Sequence, residues 1–281
     1  MKTVKNQSFD MERAFYESNG LHLIECSFDG KEDGESAMKE STGVIADKCY
    51  FNLRYPFWHC NNVKITDSNF TSLCRAPLWY TSDAEITASR ITGVKALREC
   101  KNVLIRGCKI ESSELGWLCK EIKFDTCDIT GEYFMLSSKD IQLDKVNFFG
   151  KYSFQYVENG LIDMCVLNTK DAFWHSKNVY VKNSVINGEY LGWYSENLTL
   201  ENCIIKGTQP LCYCKGLKMI NCKMIDCDLS FEKSYVEADI ISDILSVKNP
   251  YDGYINSPLI HNYIRDRDEY RCRVYSDGKL L

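Results

Sequence analysis

Asp171 and His175 stand four residues apart in the stretch Asp171-Ala172-Phe173-Trp174-His175-Ser176. On a regular strand, residues separated by an even number of positions point the same way. A carboxylate and an imidazole on one face could act as acid and base, because an unperturbed imidazole titrates near neutral pH. Tyr156 and Tyr194 lie 19 residues before and after His175 and could hydrogen-bond a substrate beside it. Glu99, next to Arg98, is a further candidate acid. The candidate catalytic residues are therefore Asp171, His175 and Glu99. The candidate ligand-binding residues are Tyr80, Arg98, Tyr156, Trp174, Trp193, Tyr194 and Tyr213.

These side chains belong to a repeat. Stepping by 19 from Ala84 meets Val103, Ile122, Ile141, Gly160, Val179, Leu198, Leu217 and Val236. Seven positions later a second apolar series runs through Ile91, Ile110, Ile129, Phe148, Leu167, Ile186 and Ile205. Apolar and polar residues alternate around each reference, as in Val179-Tyr180-Val181-Lys182, which is strand periodicity. A short fixed period marks stacked supersecondary units. The expected fold is all-β, a single-stranded right-handed parallel β-helix of about eleven coils rising ~4.8 Å each. One domain is expected over residues 1–281, with a half coil or cap at 1–20, coils over 21–240 and a C-terminal cap at 241–281. A leucine-rich repeat is the competing fold, but the second half of each unit reads as strand. A left-handed β-helix would need a six-residue sub-repeat, which is absent.

On this register all five tryptophans, Trp58, Trp79, Trp117, Trp174 and Trp193, share one row. The row after it holds His59, Tyr80, Glu99, Tyr156, His175, Tyr194 and Tyr213 and should face outward. Strict alternation then turns the tryptophans inward and Phe57, Phe154 and Phe173 outward, unless a bulge reverses them. The aromatic face reads as a ladder stabilising the solenoid, as an interface for a second copy or another protein, or as a groove in which rings and acids grip an oligosaccharide. His59 repeats the His175 pattern with Tyr55 in place of Asp171, which favours a periodic structural origin. Glu99 lies four coils from His175, ~19 Å by the same spacing. The two cannot form an acid–base pair, and no pair of carboxylates about 5 to 10 Å apart, as glycosidases need, is evident.

The 15 cysteines would ordinarily suggest a disulfide framework. Seven of them instead fall in one inward row, Cys26, Cys49, Cys108, Cys127, Cys165, Cys203 and Cys222. Cys60, Cys100, Cys119 and Cys214 fall in another, so small buried thiols fill a narrow interior. Cys212-x-Cys214 is a poor zinc signal, and neither metal nor cofactor is expected. Gly93, Gly131, Gly150, Gly188 and Gly207 recur at a bend, a natural place for positive φ.

A net charge of −5 argues against non-specific nucleic-acid binding. With 44% apolar and 26% charged residues the chain has material for a core. No run of about 18 apolar residues suggests a membrane span. The opening residues lack the apolar stretch of a signal peptide, so a cytoplasmic location is expected. Phosphate-loop, dinucleotide and nucleophile-elbow motifs are missing.

The stretch 171–176, together with Gly188-Glu189-Tyr190-Leu191-Gly192-Trp193-Tyr194-Ser195 and Gly207-Thr208-Gln209-Pro210-Leu211-Cys212-Tyr213-Cys214, resembles a bacterial family of unknown function, the domain-of-unknown-function 3737 family. The resemblance implies a right-handed β-helix shaped like pectin lyases, with no established reaction or catalytic residues. The calcium-binding aspartates and the arginine of pectate lyases are not recognisable here. The expected function is binding or processing of a carbohydrate on the aromatic face. A non-enzymatic scaffold using that face for dimer or partner contact is the alternative.

Overall fold

The computed structural model describes residues 1–281 and contains strands and turns without a helix. The chain forms two compact units, Met1–Gln142 and Leu143–Leu281. In the first, parallel strands pair Val4 with Leu23, Leu21 with Val44, Val44 with Val63, Val63 with Ala84, Ala84 with Val103 and Val103 with Ile122. In the second, Gly160 pairs with Val179, Val181 with Leu200, Leu200 with Met219, Met219 with Ala238, Ala238 with Ile255 and Ile255 with Val274. One sequence repeat is thus one rung. A second ladder pairs Ile91 with Ile110 and Ile110 with Ile129, and likewise Leu167 with Ile186 and Ile186 with Ile205.

The solenoid has about 14 turns, where the sequence pattern showed eleven. The additional pairing is at the ends. Lys2–Lys5 already forms a rung below Asn19–Ile24, and Asp252–Ser257 and Arg273–Ser276 continue the stack beyond residue 240. One rung breaks the period, since Tyr235 pairs with Asp252 only 17 residues on, whereas Val4 with Leu23 and Ile255 with Val274 keep the spacing of 19.

Inward residues form continuous stacks. Phe28, Phe51 and Phe70 are fully buried, with ring centroids 5.1 and 4.6 Å apart in succession. All the cysteines are buried free thiols. They do more than fill space, since they share their rows with serine and take part in hydrogen bonds between coils. The Val146 amide donates to Cys165 Sγ at 3.4 Å, and the Cys165 amide donates to Ser184 Oγ at 3.0 Å. The Cys203 thiol in turn donates to the Val181 carbonyl at 3.5 Å. A residue in the left-handed region precedes each of these positions, Lys145 (φ 53°), Met164 (52°) and Asn183 (50°) among them. The side-chain oxygen or sulfur of the next coil serves the amide that follows this bend. Cysteine and serine therefore alternate freely, because both are small and both can donate and accept.

The recurrent glycines divide, Gly188 and Gly207 standing at positive φ as expected, 151° and 127°, and the others not. Gly93 and Gly131 are not at positive φ. A Cβ on Gly93 would lie 1.9 Å from the Cys74 carbonyl oxygen, and on Gly131 2.2 Å from that of Ser112. Close approach of the previous coil, rather than φ, selects glycine there.

Candidate functional site

The corner that carries the aromatic rows is not a regular strand. Asp171, Phe173 and His175 all occupy the left-handed region, at φ 55°, 60° and 55°. A non-glycine residue there costs on the order of 1–2 kcal/mol, and bonds between coils offset it. Asp171 donates its amide to the Glu189 carbonyl, His175 to Trp193 and Phe173 back to Ser153, each at 3.0 Å. With every second residue left-handed, strand parity fails. Phe57, Phe154 and Phe173 point inward and are fully buried, while the tryptophans lie half-buried along the corner. This reverses the orientation that strict alternation gives. The His/Tyr row faces out as expected, with Tyr156 52% and Tyr194 44% exposed.

Three of the five tryptophans clamp one coil to the next, while Trp58 and Trp79 have no partner for the indole N–H. Trp117 donates its indole N–H to the Tyr133 carbonyl at 2.8 Å, Trp174 to Tyr190 at 2.7 Å and Trp193 to Gln209 at 2.8 Å. Gln155 makes the same bond to Asp171 at 3.1 Å. Each acceptor is the first left-handed residue of the following corner. Trp174 and Trp193 stack at 5.3 Å with planes 3° apart.

Outside this clamp runs the second row. Tyr156 and His175 stack at 5.0 Å, His175 and Tyr194 at 5.0 Å, and Tyr194 and Tyr213 at 4.8 Å, all within 11° of parallel. Amide bonds from Tyr156 to Trp174, from His175 to Trp193 and from Tyr194 to Cys212 hold that spacing. Because neighbouring rings cover each other's faces, the exposure of the inner members belongs to their edges. The ladder presents phenol hydroxyls and an imidazole nitrogen one coil apart.

Asp171 takes no part in it. Its side chain is buried, and no hydrogen bond or ion pair joins it to His175. Burial pushes its carboxyl above the usual aspartate range; Lys170 opposes the shift and Glu189 adds to it. The shared direction inferred from strand parity is lost with the strand. Tyr213 is half-buried, and its phenol is raised by burial and then by the charge of Glu232.

The remaining candidates belong to the first unit. Tyr80 stacks on His59 at 4.7 Å. Arg98 lies over the rings of Trp79 and Trp117, 5.8 and 5.5 Å from their centroids. It also stands 3.7 Å from Glu99 and 3.9 Å from Glu114 in half-buried ion pairs. Glu99 is thus held by its neighbour in sequence.

No group of three or more His, Cys, Asp or Glu comes together as a metal site. No helix is long and apolar enough to cross a membrane. A surface cavity of about 290 Å³, which the sequence reading missed, lies on the face of the long strands and is lined by Gly216, Lys218, Tyr235, Glu237, Asp252 and Gly253 among others. Its signal in the sequence is a single glycine interrupting a column of asparagines.

Fold and surface together define a right-handed parallel β-helix with an ordered aromatic corner. The chain matches the family described as "Protein of unknown function (DUF3737)" over residues 2–274, and it belongs to that family. No curated protein matches it in sequence. Among solved structures it is similar to the A-module of the Azotobacter vinelandii mannuronan C-5 epimerase AlgE4, at 9% identity and TM-score 0.29, covering 98% of this chain and 91% of that one. It is similar to the tailspike protein of E. coli bacteriophage HK620, at 8% identity and TM-score 0.36, covering 97% and 72%. The Streptococcus pneumoniae surface protein and adhesin PfbA gives 8% identity and TM-score 0.31, covering 97% and 91%.

Proposed function

We propose that this protein is a carbohydrate-binding β-helix, and that an oligosaccharide lies along the ladder from Tyr156 to Tyr213. One observation carries the reading: four aromatic side chains with polar edges stand in register, with successive centroids 5.0, 5.0 and 4.8 Å apart. Covered ring faces exclude sugar stacking on the inner members. The grip is instead by hydrogen bonds from hydroxyls and imidazole to successive sugar hydroxyls. A rigid row gives up little side-chain entropy on binding. Binding without bond cleavage follows from the separation of Asp171 from His175, which leaves the imidazole without a partner acid.

The competing reading is contact with a second copy or a protein partner through the same corner. Tyrosine-rich flat surfaces suit protein contact, and the covered ring faces favour it. Calorimetric titration with a panel of neutral oligosaccharides separates the two. Binding that is lost in Tyr194→Ala and His175→Ala supports the first. A concentration-dependent dimer in sedimentation, with no response to any sugar, overturns it in favour of the second.

A further inference from the structure

In the second unit one outward column of the long strands is asparagine. Asn178 Nδ2 donates to Asn159 Oδ1 at 3.2 Å, and Asn197 Nδ2 donates to Asn178 Oδ1 at 3.0 Å. All three are left-handed, with φ between 53° and 59°. The next position is Gly216, left-handed as well at φ 67°, and it has no side-chain amide to offer. A Cβ built there would lie 2.7 Å from Asn197 Oδ1, so the oxygen points at the place a side chain would fill. The column ends in an acceptor.

Tyr235 comes one coil later. Leu217 pairs with Val236, which puts Gly216 and Tyr235 side by side, and Tyr235 pairs with Asp252 beyond. On that far side Tyr235 meets the ring of Tyr251 at 4.8 Å, tilted by 44°. On the near side it faces the glycine, and the ring is 45% exposed. The Tyr156–Tyr213 ladder covers its inner rings on both sides; here a phenol ring has an uncovered face. The cavity of about 290 Å³ opens over it. Its rim holds the carboxylates of Glu237 and Asp252 and the ammonium of Lys218, which stands 4.0 Å from Glu237.

We infer that this slot is a binding site for one neutral polyhydroxylated ring, a monosaccharide unit. The apolar CH face of the ring lies on Tyr235 in the space that Gly216 leaves. Its hydroxyls donate to Asn197 Oδ1 and to the two carboxylates, and one accepts from Lys218. Acceptors outnumber donors on the rim, which suits a donor-rich ligand and disfavours an anion. The volume lies at the lower end of small-molecule sites, so it fits a single ring rather than a chain. The site shares no residue with the Tyr156–Tyr213 ladder and does not depend on it.

Saturation-transfer NMR with D-glucose, D-galactose, D-mannose, D-xylose and L-fucose tests it, followed by titration of whichever sugar responds. Gly216→Asn places a side chain in the slot, in a backbone conformation asparagine tolerates. Tyr235→Ala removes the ring from an exposed position and leaves the core untouched. Both variants should weaken binding about tenfold or more, the order expected when a ring contact is lost, whereas Phe149→Ala, at an exposed position outside both this slot and the ladder, leaves it unchanged. Absence of transfer from every sugar, or binding that survives both Gly216→Asn and Tyr235→Ala, overturns the inference. Binding lost only in Tyr194→Ala also overturns it, and assigns the sugar to the ladder. Should Gly216→Asn fail to fold, Tyr235→Ala alone decides.

Discussion

The imidazole of His175 lies 5.0 Å from the phenol ring of Tyr194, with the planes 8° apart, and it stands at the same distance and angle from Tyr156 on its other side. Removing the middle ring breaks two contacts at once. Stacked aromatic pairs contribute about 0.5–1.5 kcal/mol each, so His175→Ala should cost about 1–3 kcal/mol in chemical denaturation. His175→Tyr should recover most of this loss, since tyrosine occupies the same row on both sides. A His175→Tyr protein no more stable than His175→Ala would remove the structural role of the stack.

The indole clamp predicts a different loss. Trp193→Phe keeps a ring beside Trp174 but leaves the Gln209 carbonyl without its donor at 2.8 Å. That carbonyl keeps the Cys212 thiol at 3.5 Å, so loss of the indole bond should cost about 0.5–1.5 kcal/mol. Thermal denaturation should place Trp193→Phe and Trp174→Phe below the parent by similar amounts. Equal stability of all three would show that water replaces the indole.

Asp171 gives a pH test. Its folded-state carboxyl titrates above the usual aspartate range, chiefly through burial. The unfolded chain then releases this proton more readily than the folded one. Its contribution is fully present below the unfolded pKa of about 3.9 and is lost as pH rises through the folded value. Asp171→Asn has nothing to lose, so its melting temperature should exceed that of the parent at pH 7 and converge with it near pH 3. A variant less stable than the parent at pH 7 would mean that the charged carboxylate is held in place by a favourable contact.

The thiol rows predict which substitutions the interior accepts. Cys165→Ser preserves the acceptor for the Val146 amide and the small volume, and its melting temperature should stay within a few degrees of the parent. Cys165→Ala strands that amide, bonded to Sγ at 3.4 Å, and should cost about 1–3 kcal/mol. Burial pushes the Cys165 and Cys214 thiols up to about 11 and Cys60 up to about 12. Alkylation by iodoacetamide at pH 8 should therefore be slow in the folded protein and fast after denaturation. Rapid labelling of the native chain would contradict the buried rows.

The repeat made most of the fold legible, because each inward position recurs at the same phase. Val103, Ile122 and their counterparts declare a rung without reference to anything distant in sequence. The corner was harder to read. Nothing in the stretch 171–175 announces three left-handed residues in alternation, because Phe rarely adopts that region and Asp and His, though enriched there, usually do so singly. Strand parity was therefore applied where it does not hold, which turned Phe173 the wrong way and set Asp171 beside His175. The stacking of Tyr156, His175 and Tyr194 was legible because it depends on register alone. The Tyr235 slot was not, because its cause is a missing side chain one coil earlier, and an absence leaves no motif.

Where Gly160 sits beside Val179, and Val181 beside Leu200, each neighbour relation spans one whole period. Tandem copying or excision of a complete period in the gene would preserve every such relation on either side of the join. Loss of a single codon would disturb the bends of the one coil that contains it, and coils of 17, 21 and 23 residues show the stack continuing past such departures. Whole-period steps are therefore the changes that leave every bend intact, and the number of rungs on the tyrosine–histidine corner is a quantity that descent can count up or down.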